Sequence, residues 1–281
     1  MSPQQNGTGA VSRRNMLKQS AAFVVGGAAG GAAVAYADTP AANEVPPAAP
    51  PLPWKWVTLD PLEVGRRAYR NYPKGGCGYA TYRAFLSMLK ENVGYPYTTL
   101  PDMMMIHAGA GYAGHGTLCG TLGGSSLIIN LVTFDDGDPG NSAYRQIIDR
   151  LFWCYAEQEF PTDRFDDISP IPGQMKVKAM SPLCHTSVSK WVRTAGADLK
   201  SAEKIERCAK VAGEVVFTVT TALNEYFAGN WTPPVWKPSD EIKHCVQCHS
   251  PDTTGHTGGV NTQQGHMECL MCHDDHMKAG T

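Results

Sequence analysis

The stretch IERCAKVAGEVVFTVTTAL, Ile205 to Leu223, decides the fold. Its apolar positions fall at Ile205, Cys208, Ala212, Val215, Val216, Val219 and Leu223. Steps of three and four residues place them on one stripe of a helix and are incompatible with the two-residue period of a strand. The same spacing recurs at Tyr144, Ile147, Ile148, Leu151, Phe152 and Tyr155. A third apolar run, Leu118 to Leu131, carries Gly120, Gly123, Gly124, Ser125 and Ser126. A helix with so many small residues lets a neighbouring backbone approach closely. The expected fold is therefore mainly α.

This helical body spans about residues 54–229. Before it lies a basic start, SRRNMLK at residues 12–18, then an apolar run rich in Ala and Gly from Ala21 to Ala37. Paired arginines ahead of such a run read as a twin-arginine export signal, with Ala35-Tyr36-Ala37 as a small-x-small cleavage site. The alternative is an uncleaved anchor, but 17 residues of mostly Ala and Gly fall short of the about 20 strongly apolar residues that a span needs. Cleavage after Ala37 and a periplasmic destination are the expectation. Residues 38–53 form a proline-rich spacer. Three prolines in NWTPPVWKPSDEIK, residues 230–243, mark the boundary of a short tail running to residue 281.

The full chain has 24 Lys and Arg against 26 Asp and Glu. Removing Arg13, Arg14 and Lys18 with residues 1–37 leaves a net charge of −5. Such a surface does not suit a polyanion, which argues against a nucleic-acid partner. Membrane contact is expected only in transit during export.

The tail is rich in Cys and His and poor in aliphatics, so a cofactor must act as its core and little regular structure is expected there. It holds two C-x-x-C-H units, Cys245-Val246-Gln247-Cys248-His249 and Cys269-Leu270-Met271-Cys272-His273. In c-type haem attachment each cysteine forms a thioether to a haem vinyl group, and the adjacent histidine turns back onto the iron. The reading is two haems c, bound through Cys245, Cys248, Cys269 and Cys272 with His249 and His273 as proximal ligands. Only 24 residues separate Cys245 from Cys269, which keeps the haems close. The same spacing also fits a four-cysteine zinc module. A histidine after both pairs, and an export signal, favour haem. For the sixth coordination positions His256 and His266 are the first candidates, because the loop between the motifs can fold over either haem. His244, His276, His107, His115 and His185 are the other spare histidines, and Met267, Met271 and Met277 rank behind them.

Five cysteines lie in the body. Cys77 follows Gly75-Gly76, Cys119 follows His115-Gly116-Thr117, and Cys184 follows Ser181-Pro182. Each is a plausible turn into a helix, whose N-terminus favours a thiolate. Cys208 lies inside a helical pattern. Cys154 falls on an apolar face and reads as a buried structural cysteine.

The segment Gly76-Cys77-Gly78-Tyr79-Ala80-Thr81-Tyr82-Arg83-Ala84-Phe85 resembles the first element of the C-GCAxxG-C-C redox-protein family. Gly109 to Tyr112 and Cys119-Gly120-Thr121-Leu122-Gly123-Gly124 resemble its glycine-rich centre, with Thr121 in place of the usual alanine. A body of this kind fused to a dihaem tail resembles the split-Soret cytochrome c family. That resemblance implies a homodimer, electron transfer between redox partner proteins, and an iron–sulfur cluster on Cys77, Cys119, Cys184 and Cys208. Four thiolates are what a [2Fe–2S] or [4Fe–4S] cluster requires. Two disulfides remain the alternative for an exported chain. A haem- or cluster-based reductase and a redox-sensing module are the rival functions, although no acid–base constellation stands out.

Overall fold

The computed structural model describes residues 48–233, 237–249 and 266–275. The expected export signal at residues 1–37, most of the proline-rich spacer, His256 and His276 lie outside the described residues. The architecture is mainly helical, as the periodicity predicts. Helix α1 runs Pro61–Asn92, α2 Gly120–Thr133, α3 Ala143–Glu157, α4 Cys184–Ala195, α5 Ala202–Phe227 and α6 Asp240–His249. Two short strands, β1 (Glu159–Phe160) and β2 (Val177–Lys178), pair antiparallel between α3 and α4. No helix among the described residues is long and apolar enough to cross a membrane.

Helix α1 begins with Pro61 at its first position and Asp60 as its cap, whose carboxylate accepts from the N–H groups of Leu62 and Glu63. Proline suits that position because its missing N–H would have no helical partner. The helix is broken at Gly76, which adopts φ 75° and ψ −172°. A side chain is strongly disfavoured there, and glycine is not. The chain restarts at Cys77, which therefore opens a second helical segment.

Helices α1 and α5 form the centre of the molecule. They meet at two glycines: a Cβ on Gly65 would lie 2.9 Å from the Gly213 carbonyl, and one on Gly213 would lie 3.0 Å from that of Gly65. Phe165 closes over both. The small residues of α2 serve the same end against α1, since a Cβ on Gly124 would reach to 2.7 Å from the Gly78 carbonyl. The buried stripe of α5 includes Ala212, Val215, Val216, Val219 and Leu223. Ile205, at the head of the same sequence pattern, instead lies exposed, because the buried face at that end of α5 is the one carrying Glu206, Arg207 and Lys210. On α3, Ile147, Leu151 and Tyr155 are buried. Cys154 is only half-buried, which corrects the expectation of a core cysteine.

Among the described residues, the tail departs from the expected irregular chain at one place. Its first C-x-x-C-H unit lies on α6, because Asp240 and Glu241 supply a favourable acidic first turn beyond the last proline. Ile242 of α6 is 2% exposed, so this segment packs on the body.

Candidate metal centre

Cys77, Cys119, Cys184 and Cys208 line one cavity of about 250 Å³. They come from four separate elements, and each arrives for a local reason. Cys77 stands directly after the break at Gly76. Cys119 is the residue before the first turn of α2, and Cys184 is the first residue of α4. Their two segments run side by side: the Cys119 N–H donates to the Pro182 carbonyl at 3.0 Å, and the Cys184 N–H donates to the Thr117 carbonyl at 2.7 Å. Leu118 and Leu183 form a bridge between them. Cys208 comes from the interior of α5. Two helix N-termini and the restart at Cys77 thus bring positive dipole ends to one cavity.

A left-handed turn forms part of the wall. Ala110, Gly111, Tyr112, Ala113 and Gly114 all have positive φ, between 51° and 86°. For residues other than glycine this backbone costs about 1–2 kcal/mol each. It is held by bonds from Ala113 N–H to the His107 carbonyl and from Thr117 N–H to the Gly111 carbonyl. The wall is also close-fitting at Gly120, where a Cβ would meet the Cys77 sulfur at 2.7 Å.

The thiols are electrostatically bound together. The Cys77 thiol is held protonated by its hydrogen bond to Cys119 and by burial, with Cys119, Cys184 and Cys208 all opposing its ionisation. Cys119 is the favoured thiolate of that pair, stabilised by Cys77 and by Thr121. Burial and the neighbouring Cys119 and Cys208 push Cys184 up to about 12. The Tyr72 phenol is pushed up by burial and by Cys208, to which it hydrogen-bonds. One buried cation faces this set. Arg207 is 2% exposed, with one nitrogen 3.8 Å from the Cys208 sulfur and another donating to Ser187 Oγ at 2.7 Å. Burial opposes its charge, and the facing Cys208, Tyr155 and Cys119 outweigh that. Its Nε is buried with no hydrogen-bond partner.

Among the described residues, no three His, Cys, Asp or Glu groups converge closely enough to share one metal ion. The four body thiols ring a space and do not meet at a point. This donor set fits a group of several bridged irons, each reaching a different thiolate, better than one tetrahedral ion. Closely opposed thiolates need positive charge between and around them, which such a group and Arg207 would supply. The sequence reading missed Arg207, Tyr72 and Lys204, all of which line the cavity. The buried Arg207 looks like a solvated charge in sequence. His185 also lines the cavity, whereas His115, nearer to Cys119 in sequence, is exposed and is not part of the wall.

In the tail, α6 carries Cys245, Cys248 and His249. The second unit forms a turn, with the Cys272 and His273 N–H groups donating to the Cys269 carbonyl. It is pinned to α6 by the Leu270 N–H on Glu241, 2.7 Å, and by Ser239 Oγ on Glu268, 2.8 Å. The Cys245 and Cys269 thiols are hydrogen-bonded, and burial and Cys245 push Cys269 up to about 11. The two units are therefore adjacent, yet the four tail cysteines do not gather into a zinc-like set. His266, one of the two candidate distal ligands, donates from Nδ1 to Asp149 on α3 at 2.9 Å.

Residues 79–222, just over half of the chain, match the profile of the family described as "Putative redox-active protein (C_GCAxxG_C_C)". The chain belongs to this family. The match takes in Cys119, Cys184 and Cys208 and begins two residues after Cys77. Beyond the C_GCAxxG_C_C body, the chain is homologous to split-Soret cytochrome c of Desulfovibrio desulfuricans, with 27% identity over 273 residues and 94% of both chains covered. A solved structure titled "A novel iron centre in the split-Soret cytochrome c from Desulfovibrio desulfuricans ATCC 27774" superposes with a TM-score of 0.67 and 26% identity. It covers 81% of this chain and 93% of that one.

Proposed function

We propose that this protein is an exported electron carrier. Two haems c are attached to its tail, and an iron–sulfur centre is held by Cys77, Cys119, Cys184 and Cys208. The observation that carries this reading is the assembly of four thiols, distant in sequence, around one cavity with a buried arginine. Homology to a cytochrome with an iron centre supports it. The haems and the cluster, when bound, supply one-electron chemistry.

The chain's own residues do the positioning. Cys245, Cys248, Cys269 and Cys272 would hold the two haems as thioethers, and His249 and His273, next to the second cysteine of each unit, would serve as ligands to iron. In the body, Cys119 is the thiol favoured as thiolate, and Arg207 is the buried cation beside Cys208 that would offset the charge of further thiolates. Electrons pass to and from redox partner proteins, and the protein works as a homodimer in the periplasm. The twin-arginine signal at Arg13-Arg14, cleaved after Ala37, suits a body that folds around its cluster in the cytoplasm before the tail receives haem outside.

Haem and iron quantitation with EPR, on protein purified without oxygen, tests this reading. Two haems per chain are expected, with additional iron that disappears in Cys119→Ala. If haem accounts for all the iron, the cluster assignment is wrong. Replacing Arg13-Arg14 by Lys-Lys is expected to trap haem-free protein in the cytoplasm, and normal maturation would overturn the export route.

A further inference from the structure

Thr121 sits in the first turn of α2, two residues after Cys119, and is 1% exposed. It lines the four-cysteine cavity. A hydroxyl buried this deeply has given up its water and needs another partner. A threonine inside a helix can find one in the carbonyl four residues back. Thr133, Thr218, Thr220 and Thr221 all do so here, at 2.7 to 3.0 Å.

Thr121 stands too near the start of its helix for that bond. The carbonyl four residues back belongs to Thr117, which precedes α2 and accepts the Cys184 N–H at 2.7 Å. The Thr121 Oγ1 lies instead 3.1 Å from the Cys119 sulfur. Among the described residues, that sulfur is its one hydrogen-bond partner. Tyr155, the other hydroxyl beside Cys119, already donates to Ser187 Oγ at 2.9 Å.

Charge decides the direction of the bond. Between a neutral thiol and a hydroxyl, either group can donate. A sulfur that binds iron has lost its proton and can only accept. The Thr121 hydrogen then points at Cys119. A hydrogen bond to an anionic sulfur is charge-assisted, and it strengthens as the sulfur becomes more negative. Reduction makes the sulfurs of a cluster more negative, so a fixed donor favours the reduced state. Hydrogen bonds to the sulfurs are among the factors that set the potential of such a centre.

We infer that the Thr121 hydroxyl, by donating to the Cys119 sulfur, raises the reduction potential of the iron–sulfur centre without being needed to hold it. Thr121 is thus a positioning residue that acts through Cys119. The inference rests on the cluster reading above and deepens it by naming a residue that tunes the centre. Reduction brings one electron from a redox partner protein into the cluster. No bond forms or breaks at Thr121, which keeps its hydrogen.

The test uses the full, haem-loaded chain purified without oxygen. Thr121→Val keeps the branched shape and removes the hydroxyl. Thr121→Ser keeps the hydroxyl and removes the methyl. Redox titration followed by EPR of the non-haem iron, with iron and haem counted per chain, compares the two. Thr121→Val should hold iron at the wild-type level and lower the midpoint of the non-haem centre, with the haem midpoints unchanged. Thr121→Ser should stay close to the wild-type midpoint. A wild-type midpoint in Thr121→Val would overturn the inference. Equal downward shifts in both variants would also overturn it, by tracing the effect to the methyl. Loss of the non-haem iron in Thr121→Val would do the same, by making the hydroxyl part of what holds the site. Wild-type protein whose iron is all haem would overturn the underlying cluster reading, an outcome distinct from these because it is read on the unsubstituted chain.

Discussion

Gly120 is the sharpest point at which to test the four-cysteine cavity. A Cβ added there would stand 2.3 Å from the Ala108 carbonyl oxygen, 2.7 Å from the Cys77 sulfur and 2.8 Å from the Gly78 nitrogen. Ordinary contacts begin near 3.5 Å, so each neighbour must retreat by roughly 1 Å. Two of the three are backbone atoms and cannot rotate away. Overpacking of this kind costs about 1–3 kcal/mol, and three simultaneous clashes place Gly120→Ala near about 3 kcal/mol. For a domain of this size each kcal/mol moves the Tm by about 2–4 °C, so a fall of roughly 6–12 °C is expected. The same methyl displaces the Cys77 sulfur, so iron bound to the body should be lost as well. Gly109→Ala is the matched control: it lies in the adjoining loop, at φ −60°, and its Cβ would find nothing nearer than 3.6 Å. Thermal melting followed by far-ultraviolet circular dichroism, with iron per chain measured on the same samples, reads both effects. If Gly120→Ala melts with the wild type and keeps its iron, α2 does not press on Cys77 as described, and the cavity geometry is wrong.

Two further outcomes follow from buried charges. Glu214 is 2% exposed, its Oε1 accepts from the Thr162 N–H, and burial pushes its carboxyl up to about 7. The folded state therefore holds the proton more tightly than the unfolded chain. The associated stability is complete below the ordinary carboxyl range and is lost as pH rises through 7, by about 3 kcal/mol at most. Glu214→Gln keeps the acceptor for Thr162 and should flatten the pH dependence of the melt between about pH 5 and about pH 8; a parallel decline in both proteins would refute the burial argument. Arg207→Met removes the cation 3.8 Å from the Cys208 sulfur. A charge pair at about 4 Å is worth about 4 kcal/mol near a protein surface, but only when the thiols are ionised by bound iron. The variant should therefore lower the Tm of iron-loaded protein much more than that of protein stripped with a chelator. Equal losses in both states would show that Arg207 is a packing residue only.

The helices were legible because their patterns are local. Tyr144 to Tyr155 and Ala212 to Leu223 carry their period within the chain; the structure buries Ala212, Val215, Val216, Val219 and Leu223 of the second stripe and Ile147, Leu151 and Tyr155 of the first, leaving Tyr144, Ile148 and Phe152 half-buried. The small residues of α2 announced a close neighbour, found in the approach of Gly124 to Gly78. Cysteines next to turns pointed to helix starts at Cys119 and Cys184. The left-handed turn at residues 110–114 was hidden, because Ala110, Tyr112 and Ala113 carry no preference for that backbone. It exists only because bonds to His107 and Gly111 hold it.

Sequence alone determined the helical class and the positions of the two C-x-x-C-H units. Both are written in spacing along the chain, whereas the four body cysteines were singled out only by resemblance to a redox-protein family. Tertiary structure alone decided which distant groups meet. It brought the segments around Cys119 and Cys184 side by side, buried Arg207 against Cys208 and Ser187, and set His266 on Asp149 across 117 residues of chain. Those contacts arise because α1 and α5 pack glycine to glycine and the remaining elements close around that seam. No local period records such a long-range choice.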